Sequence, residues 1–451
     1  MKTVLFKKLK FPLIFIFTFL FNLFIAFGST GTFDINTVMK WTKDFFIFGF
    51  WQAFAVNSTY PHLLNLIFYA TGGLVKVLHF QVGAYENIFL LKSVAIIAFA
   101  LIAVLLYYQA SYRNSRMKLM AVLFLLNPAM VLNVSVQAYM DVFYLLALAG
   151  IFFMMSRMSR SKSIKSLSIF FIWIFLLVGP FLKWQFFIFW PSLIPVAIYL
   201  TYKEKKFKIA FIGLLISLAL ITFPLIPKAK STFVLRLRVR ALSQSFDRIS
   251  NEKFVVANFG NLWQIVNGIR LILTGEKYLQ DYLSVFTNPI PYWEDQRLKY
   301  QGRFLFLLVF GIFLLIATNK LRIIKKIVWY DYVLTLSLWT NVIYVLFNTS
   351  VHENHFIASV VISAFIFITN PSFKKFLLYT FFTLINFANL NFFYGLGQSG
   401  LFGYDYHLTL FNFNTSILIS FSLIIFFLIY FIRFLKSKNS LLGWEDIKDS
   451  R

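Results

Sequence analysis

The feature that most constrains this chain is a succession of about a dozen apolar runs, most of them separated by short basic loops. A helix needs about 20 largely apolar residues to cross the roughly 30 Å hydrocarbon core of a bilayer. Runs near that length fall at residues 11–27, 86–108, 117–135, 139–155, 166–182, 184–201, 208–226, 303–318, 329–347, 355–369, 375–394 and 413–434. With 59% hydrophobic and 13% charged residues, a soluble multi-domain chain is excluded. The pattern predicts an all-α polytopic membrane protein of about 12 transmembrane helices.

The basic residues set an orientation. Arg113, Arg116 and Lys118, then Arg157, Arg160, Lys162 and Lys165, then Lys203, Lys205, Lys206 and Lys208 occupy short loops that alternate with apolar runs. Lys320, Arg322, Lys325 and Lys326, followed by Lys374 and Lys375, continue the alternation. The excess of Lys and Arg in cytoplasmic loops predicts that all of these, and both termini, are cytoplasmic. The net charge of +26 is therefore a topology signal, and no nucleic-acid partner is expected. With no cysteine in the chain, disulfide, thiolate-metal and CxxC redox chemistry are excluded.

This alternation predicts one membrane domain over 1–435, a cytoplasmic tail over 436–451, and two long outer segments, 28–85 and 227–302. In the first, Trp41, Phe45, Phe48 and Trp51 are spaced for one helical face, which predicts a helix lying along the outer membrane surface. The apolar stretch from Pro61 to Phe80 joins it in the interface, because a crossing there would invert every later basic loop.

Carboxylates are scarce and therefore informative, since an acid near the membrane core usually meets a partner or a wet cavity. Asp34, in GSTGTFDIN, sits where a base could act on a substrate at the outer leaflet, or where it would cap the next helix. Asp141 opens a span after NPAMVLNVSVQAYM and is open to the same two readings; the short preceding helix is expected to return Gln137 and Asp141 toward Asp34. Lys183 and Gln185 lie in the sharp outer turn GPFLKWQFF, where Lys183 is either functional or a snorkelling cation. His352, Glu353 and His355 stand in TSVHENHF; their spacing does not match the zinc-binding HExxH pattern, and an imidazole donating to phosphate oxygen suits them better. Arg236, Arg238, Arg240 and Arg248 form either a cradle for an anionic leaving group or a contact with anionic lipid.

Taken in order, the first-loop Asp34, Tyr60 and Pro61, the NPAMVLNVSVQAYMD stretch, the LKWQ turn, NEKFVVANFGNLW and VHENHF resemble the GT-C superfamily of membrane glycosyltransferases. The likeness, from about residue 28 to 360, is to the enzymes that use polyprenyl-phosphate or dolichyl-phosphate mannose or glucose. It implies a GT-C-like fold and an inverting, metal-independent hexosyl transfer without a cofactor. The donor would be a polyprenyl-phosphate-linked sugar, and the acceptor a glycan, lipid or protein. Asp34 matches the catalytic base, and Asp141 stands with it as catalytic. Arg248 through Trp263, including Asn258, match the loop that approaches the donor phosphate, and His352 and Glu353 match the late HE pair. Lys183, Gln185 and His355 complete the expected substrate-binding set, with no metal ligand. The location implied is the plasma membrane of a prokaryote, or the endoplasmic reticulum in a eukaryote. A transporter of lipid-linked saccharide, or a polymerase or ligase using a diphosphate-linked donor, are the competing readings.

Overall fold

The computed structural model describes residues 2–32, 34–49, 61–78, 85–110, 115–160, 165–223, 240, 243–244, 254–257, 259–274, 293–323, 329–396, 400–404 and 415–436. They are almost wholly helical and fall into two compact units. Unit 1 comprises 1–251 with 396–405, and unit 2 comprises 252–395 with 406–451.

Among the described residues, nine helices are long and apolar enough to cross a membrane, which makes this a polytopic membrane protein. The runs expected at 208–226 and 355–369 are shorter helices, Phe207–Thr222 and Ala358–Thr369. The run at 329–347 carries Asp331 and Asn341 and falls outside the nine.

Unit 1 contains α1 (Lys2–Phe27), α2 (Asp34–Phe48), α3 (His62–Val77), α4 (Tyr85–Ala110), α5 (Ser115–Leu123), α6 (Asp141–Arg160), α7 (Lys165–Leu182), α8 (Trp190–Lys203) and α9 (Phe207–Thr222). Lipid tails give helices no hydrophobic reason to associate, so close packing depends on small residues that let backbones approach. Ala210, Gly213 and Ser217 form such a stripe on α9, and a Cβ on Gly213 would lie 3.0 Å from the Phe170 carbonyl of α7. A Cβ on Gly150 of α6 would collide with the Phe175 ring at 2.5 Å.

Part of the aromatic face expected on α2 has a protein partner. Trp41 and Phe45 are buried against α3, with ring centroids 6.0 Å from Phe68 and 6.5 Å from Tyr69, while Phe48 is exposed. The neighbouring α3 supplies an apolar partner, so this part of the stripe is covered by protein. Trp51 lies outside the described residues.

After α5 the run continues to Val136, but irregularly. A 3-10 turn over Phe124–Leu126 leads to Asn127, whose side chain caps the next turn by accepting from the Met130 amide at 3.1 Å, and Pro128 follows at the first helical position. A π-helix then covers Val131–Val136, with the Gln137 amide bonded to the Leu132 carbonyl at 2.8 Å. Ala138 turns the chain at φ 60° before α6 begins.

Unit 2 contains the antiparallel pair β1 (Phe254–Val256) and β2 (Trp293–Glu294), with α10 (Leu262–Thr274), α11 (Gln296–Ile323), α12 (Trp329–Phe347), α13 (Ala358–Thr369), α14 (Phe373–Tyr394) and α15 (Thr415–Lys436). In β1–β2, Phe254 pairs with Glu294 and Val256 with Trp293. Every residue of the 12-residue α13 is buried, so this helix lies wholly within protein.

Candidate functional site

The first cluster belongs to unit 1 and is built on the loop between α1 and α2. Gly31 adopts φ +88°, a conformation natural to glycine, and a Cβ there would crowd both Ile35 and the Gln137 carbonyl. The Thr32 amide donates to that same Gln137 carbonyl at 3.4 Å. The Ser29 hydroxyl donates to the Ser135 carbonyl at 3.2 Å, and the Ser135 hydroxyl to Asn22 Oδ1 at 2.6 Å. The loop that delivers Asp34 is thereby tied to the π-helix and to the turn that delivers Asp141. Asp34 is the first residue of α2; its side chain lies outside the described residues.

Lys92 of α4 holds the other side of this loop. It is fully buried, and its ammonium donates to the Ser29 carbonyl at 2.6 Å, the Ser29 hydroxyl at 2.8 Å and the Ala26 carbonyl at 3.4 Å. The carbonyls at the end of a helix point outward with partial negative charge, so a cation there satisfies both hydrogen bonding and the helix dipole. In sequence Lys92 is a lone charge inside an apolar run; the structure makes it the clamp on the end of α1.

Asp141 and Lys183 are brought together. Lys183 Nζ lies 2.6 Å from Asp141 Oδ1, with Asp141 fully buried and Lys183 nearly so. Lys183 sits at an extended residue between α7 and the 3-10 turn Trp184–Phe189, and a Cβ on Gly179 would meet the Phe186 ring of that turn at 2.7 Å. Gln185 lies in the same turn, half-buried. Charges removed from water are costly unless paired at short range, and this pair meets that condition. Neither a simple helix cap at Asp141 nor a snorkelling cation at Lys183 describes the contact. At the adjoining end of α7, His62 of α3 packs against Phe181 with centroids 5.0 Å apart, and burial pushes its imidazole down to about 4.

The second cluster belongs to unit 2. Asn261 caps α10: its Oδ1 accepts from the Trp263 and Gln264 amides at 3.1 and 3.3 Å, and its Nδ2 donates to the Val345 and Asn348 carbonyls. Trp263 Nε1 donates to the Phe347 carbonyl at 2.8 Å. The start of α10 is thus fastened to the end of α12. Asn389 of α14 joins the two segments that follow. Its Oδ1 accepts from the Gly260 amide at 3.0 Å and its Nδ2 donates to the Glu353 carbonyl at 3.3 Å. Gly260 also lies close against α15, where a Cβ would fall 2.4 Å from the Ser416 carbonyl.

The His352–His355 turn is held from several sides. Asn341 Nδ2 donates to the His355 carbonyl at 3.4 Å, and the His352 amide reaches His355 Nδ1 at 3.3 Å, with the Tyr344 hydroxyl 3.5 Å from the same nitrogen. Glu353 and His355 are buried, and His352 is half-buried. The turn is also sunk below the end of α12. Thr369, the last residue of α13, donates to the Tyr330 hydroxyl near the start of α12 at 3.2 Å, so the two helices share a level there. From that level α12 rises about 25 Å to Phe347 and α13 only about 16 Å to Ala358, at roughly 1.5 Å per residue. The backbone of the turn therefore lies inside the bundle, where non-helical backbone is tolerated only when enclosed by protein or lining a cavity.

Of the expected site residues, Asp141 and Lys183 form one contact, while Trp263, His352, Glu353 and His355 share one network. Arg248 and Asn258 lie outside the described residues. Lys92's partners and the roles of Asn341 and Asn389 were missed. An asparagine in an apolar run was the only signal for the last two. Among the described residues no three His, Asp or Glu side chains gather closely enough to hold a metal ion. Compared with known proteins, the chain matches no family model and no curated sequence.

Proposed function

We propose that this protein is an inverting membrane glycosyltransferase that moves a hexose, mannose or glucose, from a polyprenyl-phosphate carrier to a glycan, lipid or protein acceptor at the outer membrane face. The observation that carries the reading is in unit 1: one loop and one turn, tied through the Gln137 carbonyl, deliver Asp34 and Asp141, and Asp141 holds Lys183 at 2.6 Å. An acid and a paired cation at one end of a helical membrane unit suit a reaction in which a proton leaves as an anion departs.

In the proposed step the Asp34 carboxylate takes the proton of the acceptor hydroxyl. The freed oxygen attacks the anomeric carbon, and the bond from that carbon to the phosphate oxygen breaks with inversion. The developing phosphate charge calls for fixed cationic or hydrogen-bonding groups in a water-poor site, the role proposed for Lys183 and for Arg248. Gln185, in the same turn as Lys183, is proposed to contact the sugar or carrier. No metal or organic cofactor enters this scheme.

The test is transfer of labelled hexose from a polyprenyl monophosphate donor by membranes bearing Asp34→Asn. A positioned base contributes about 10²- to 10⁴-fold, so the expected outcome is loss of that order with normal amounts of folded protein. Undiminished turnover removes Asp34 as the base; absence of transfer by the unaltered protein across donors removes the enzyme reading.

A further inference from the structure

Beneath the His352–His355 turn lies a set of polar groups that the proposed transfer does not use. On α12, Tyr330, Ser337, Asn341 and Tyr344 are spaced to share one helical face. That face meets α13 at both ends, through Tyr330 with Thr369 and through Asn341 with the His355 carbonyl. Ser337 and the adjoining Thr340 lie between these contacts, and both are fully buried.

Several oxygens here have no protein partner among the described residues: Ser337 Oγ, Thr340 Oγ1, Asn341 Oδ1 and, on α14, Asn386 Oδ1. The two amide oxygens are the telling ones. Asn341 has an amide hydrogen committed to the His355 carbonyl at 3.4 Å. Asn386 donates to the Ser359 hydroxyl at 3.0 Å and the Phe382 carbonyl at 2.8 Å. These bonds orient each amide and leave its carbonyl oxygen as a pure acceptor in a buried site. Four such groups in one protein core are too costly to remain dry, and small polar molecules are the ordinary remedy.

We propose that the seam between α12 and α13 binds a file of water running about 16 Å from the Tyr330–Thr369 contact to the His352–His355 turn. Water suits this seam because each molecule both donates and accepts, serving hydroxyls and amide oxygens alike. A formal charge is not needed. The file opens at the Tyr330–Thr369 end, beside the exposed Lys374, and makes the buried Glu353 and His355 reachable from that end by protons and small cations. A proton taken up at the turn passes from oxygen to oxygen and leaves to bulk water, with no bond to carbon changed. This inference concerns unit 2 alone and stands whether or not the protein transfers sugar.

The chain has no cysteine, so a single introduced thiol reports accessibility without background. Ser337→Cys and Thr340→Cys, with Ala364→Cys as a buried control on α13, are exposed to Ag⁺ in sealed vesicles of each orientation. Remaining free thiol is then counted after denaturation. The expected result is that both seam thiols react at least about 100-fold faster than the control, and from the side bearing Lys374. Rates equal to the control, or reaction only from the opposite side, overturn the proposal. Should Ser337→Cys fail to assemble, Thr340→Cys answers the same question.

Discussion

The two units hold their candidate groups in place by different chemistry. Unit 1 adds charge to its neutral hydrogen bonds: Lys92 clamps the end of α1, and Lys183 is paired with Asp141. Unit 2 uses neutral amides: Asn261, Asn341 and Asn389 stitch the start of α10, α12 and α14 around the His352–His355 turn. An ion pair removed from water fails severely when half of it is lost, because the remaining charge has no escape. An amide network loses strength bond by bond. The difference makes unit 1 brittle and unit 2 tolerant, and each substitution below probes that contrast.

The largest effect is expected at Lys183. Lys183→Met leaves the Asp141 carboxylate buried without its cation, which costs about 3–5 kcal/mol. Lys183→Met combined with Asp141→Leu should recover most of that loss. Both are read by thermal unfolding of purified protein in one detergent, and a double variant no more stable than the single one would contradict the electrostatic account. A smaller effect is expected at Asn389. Asn389→Leu removes both bonds that link the Gly260 amide to the Glu353 carbonyl, each contributing about 0.5–1.5 kcal/mol net, for roughly 1–3 kcal/mol in all. If Asn389→Leu instead exceeds Lys183→Met, the contrast between the units is reversed.

The smallest effect concerns pH. His62 is held neutral by burial, its imidazole lowered to about 4 from an ordinary 6.5. A group bound neutral in the folded state and free to protonate when unfolded favours folding above its unfolded value. The contribution is lost as pH falls from 6.5 toward 4. His62→Phe should flatten the slope of melting temperature against pH in that window while leaving the plateau above pH 7 nearly unchanged. An identical slope in both proteins would assign the acid sensitivity to another group.

Much of the helical plan was legible, because an unbroken apolar run of bilayer length has few alternatives. The exceptions are instructive. The run at 355–369 reads as a crossing, yet α13 begins only at Ala358, and its shortness sinks the preceding turn into the bundle. Hydropathy reports composition along the chain and carries no information on depth. Asp141 and Lys183 stood out as charges at the ends of apolar runs, but their pairing depends on the Ala138 turn and on the extended residue at Lys183, which no local spacing announces. Trp41 and Phe45 share one face, but its contact with α3 was not legible, since a membrane surface and a neighbouring helix select the same side chains. Asn389 and Asn341 left almost no trace, because their importance lies in backbone groups distant in sequence.

The π-helix over Val131–Val136 also bears on how unit 1 could be re-engineered. Each residue of an ordinary α-helix advances the chain by about 100°. A wide turn of this kind stores one residue more than a regular helix needs, and excising a single position between Val131 and Val136 would let the ladder close normally. Because the wide turn takes up its surplus residue locally, everything downstream would keep its present bearing, whereas the same excision from a regular stretch of helix would swing it by that angle and carry the Asp141 carboxylate off its lysine. The wide turn thus acts as slack in the chain, a place where one residue can be lost without altering the rotational phase at which this acid meets its lysine.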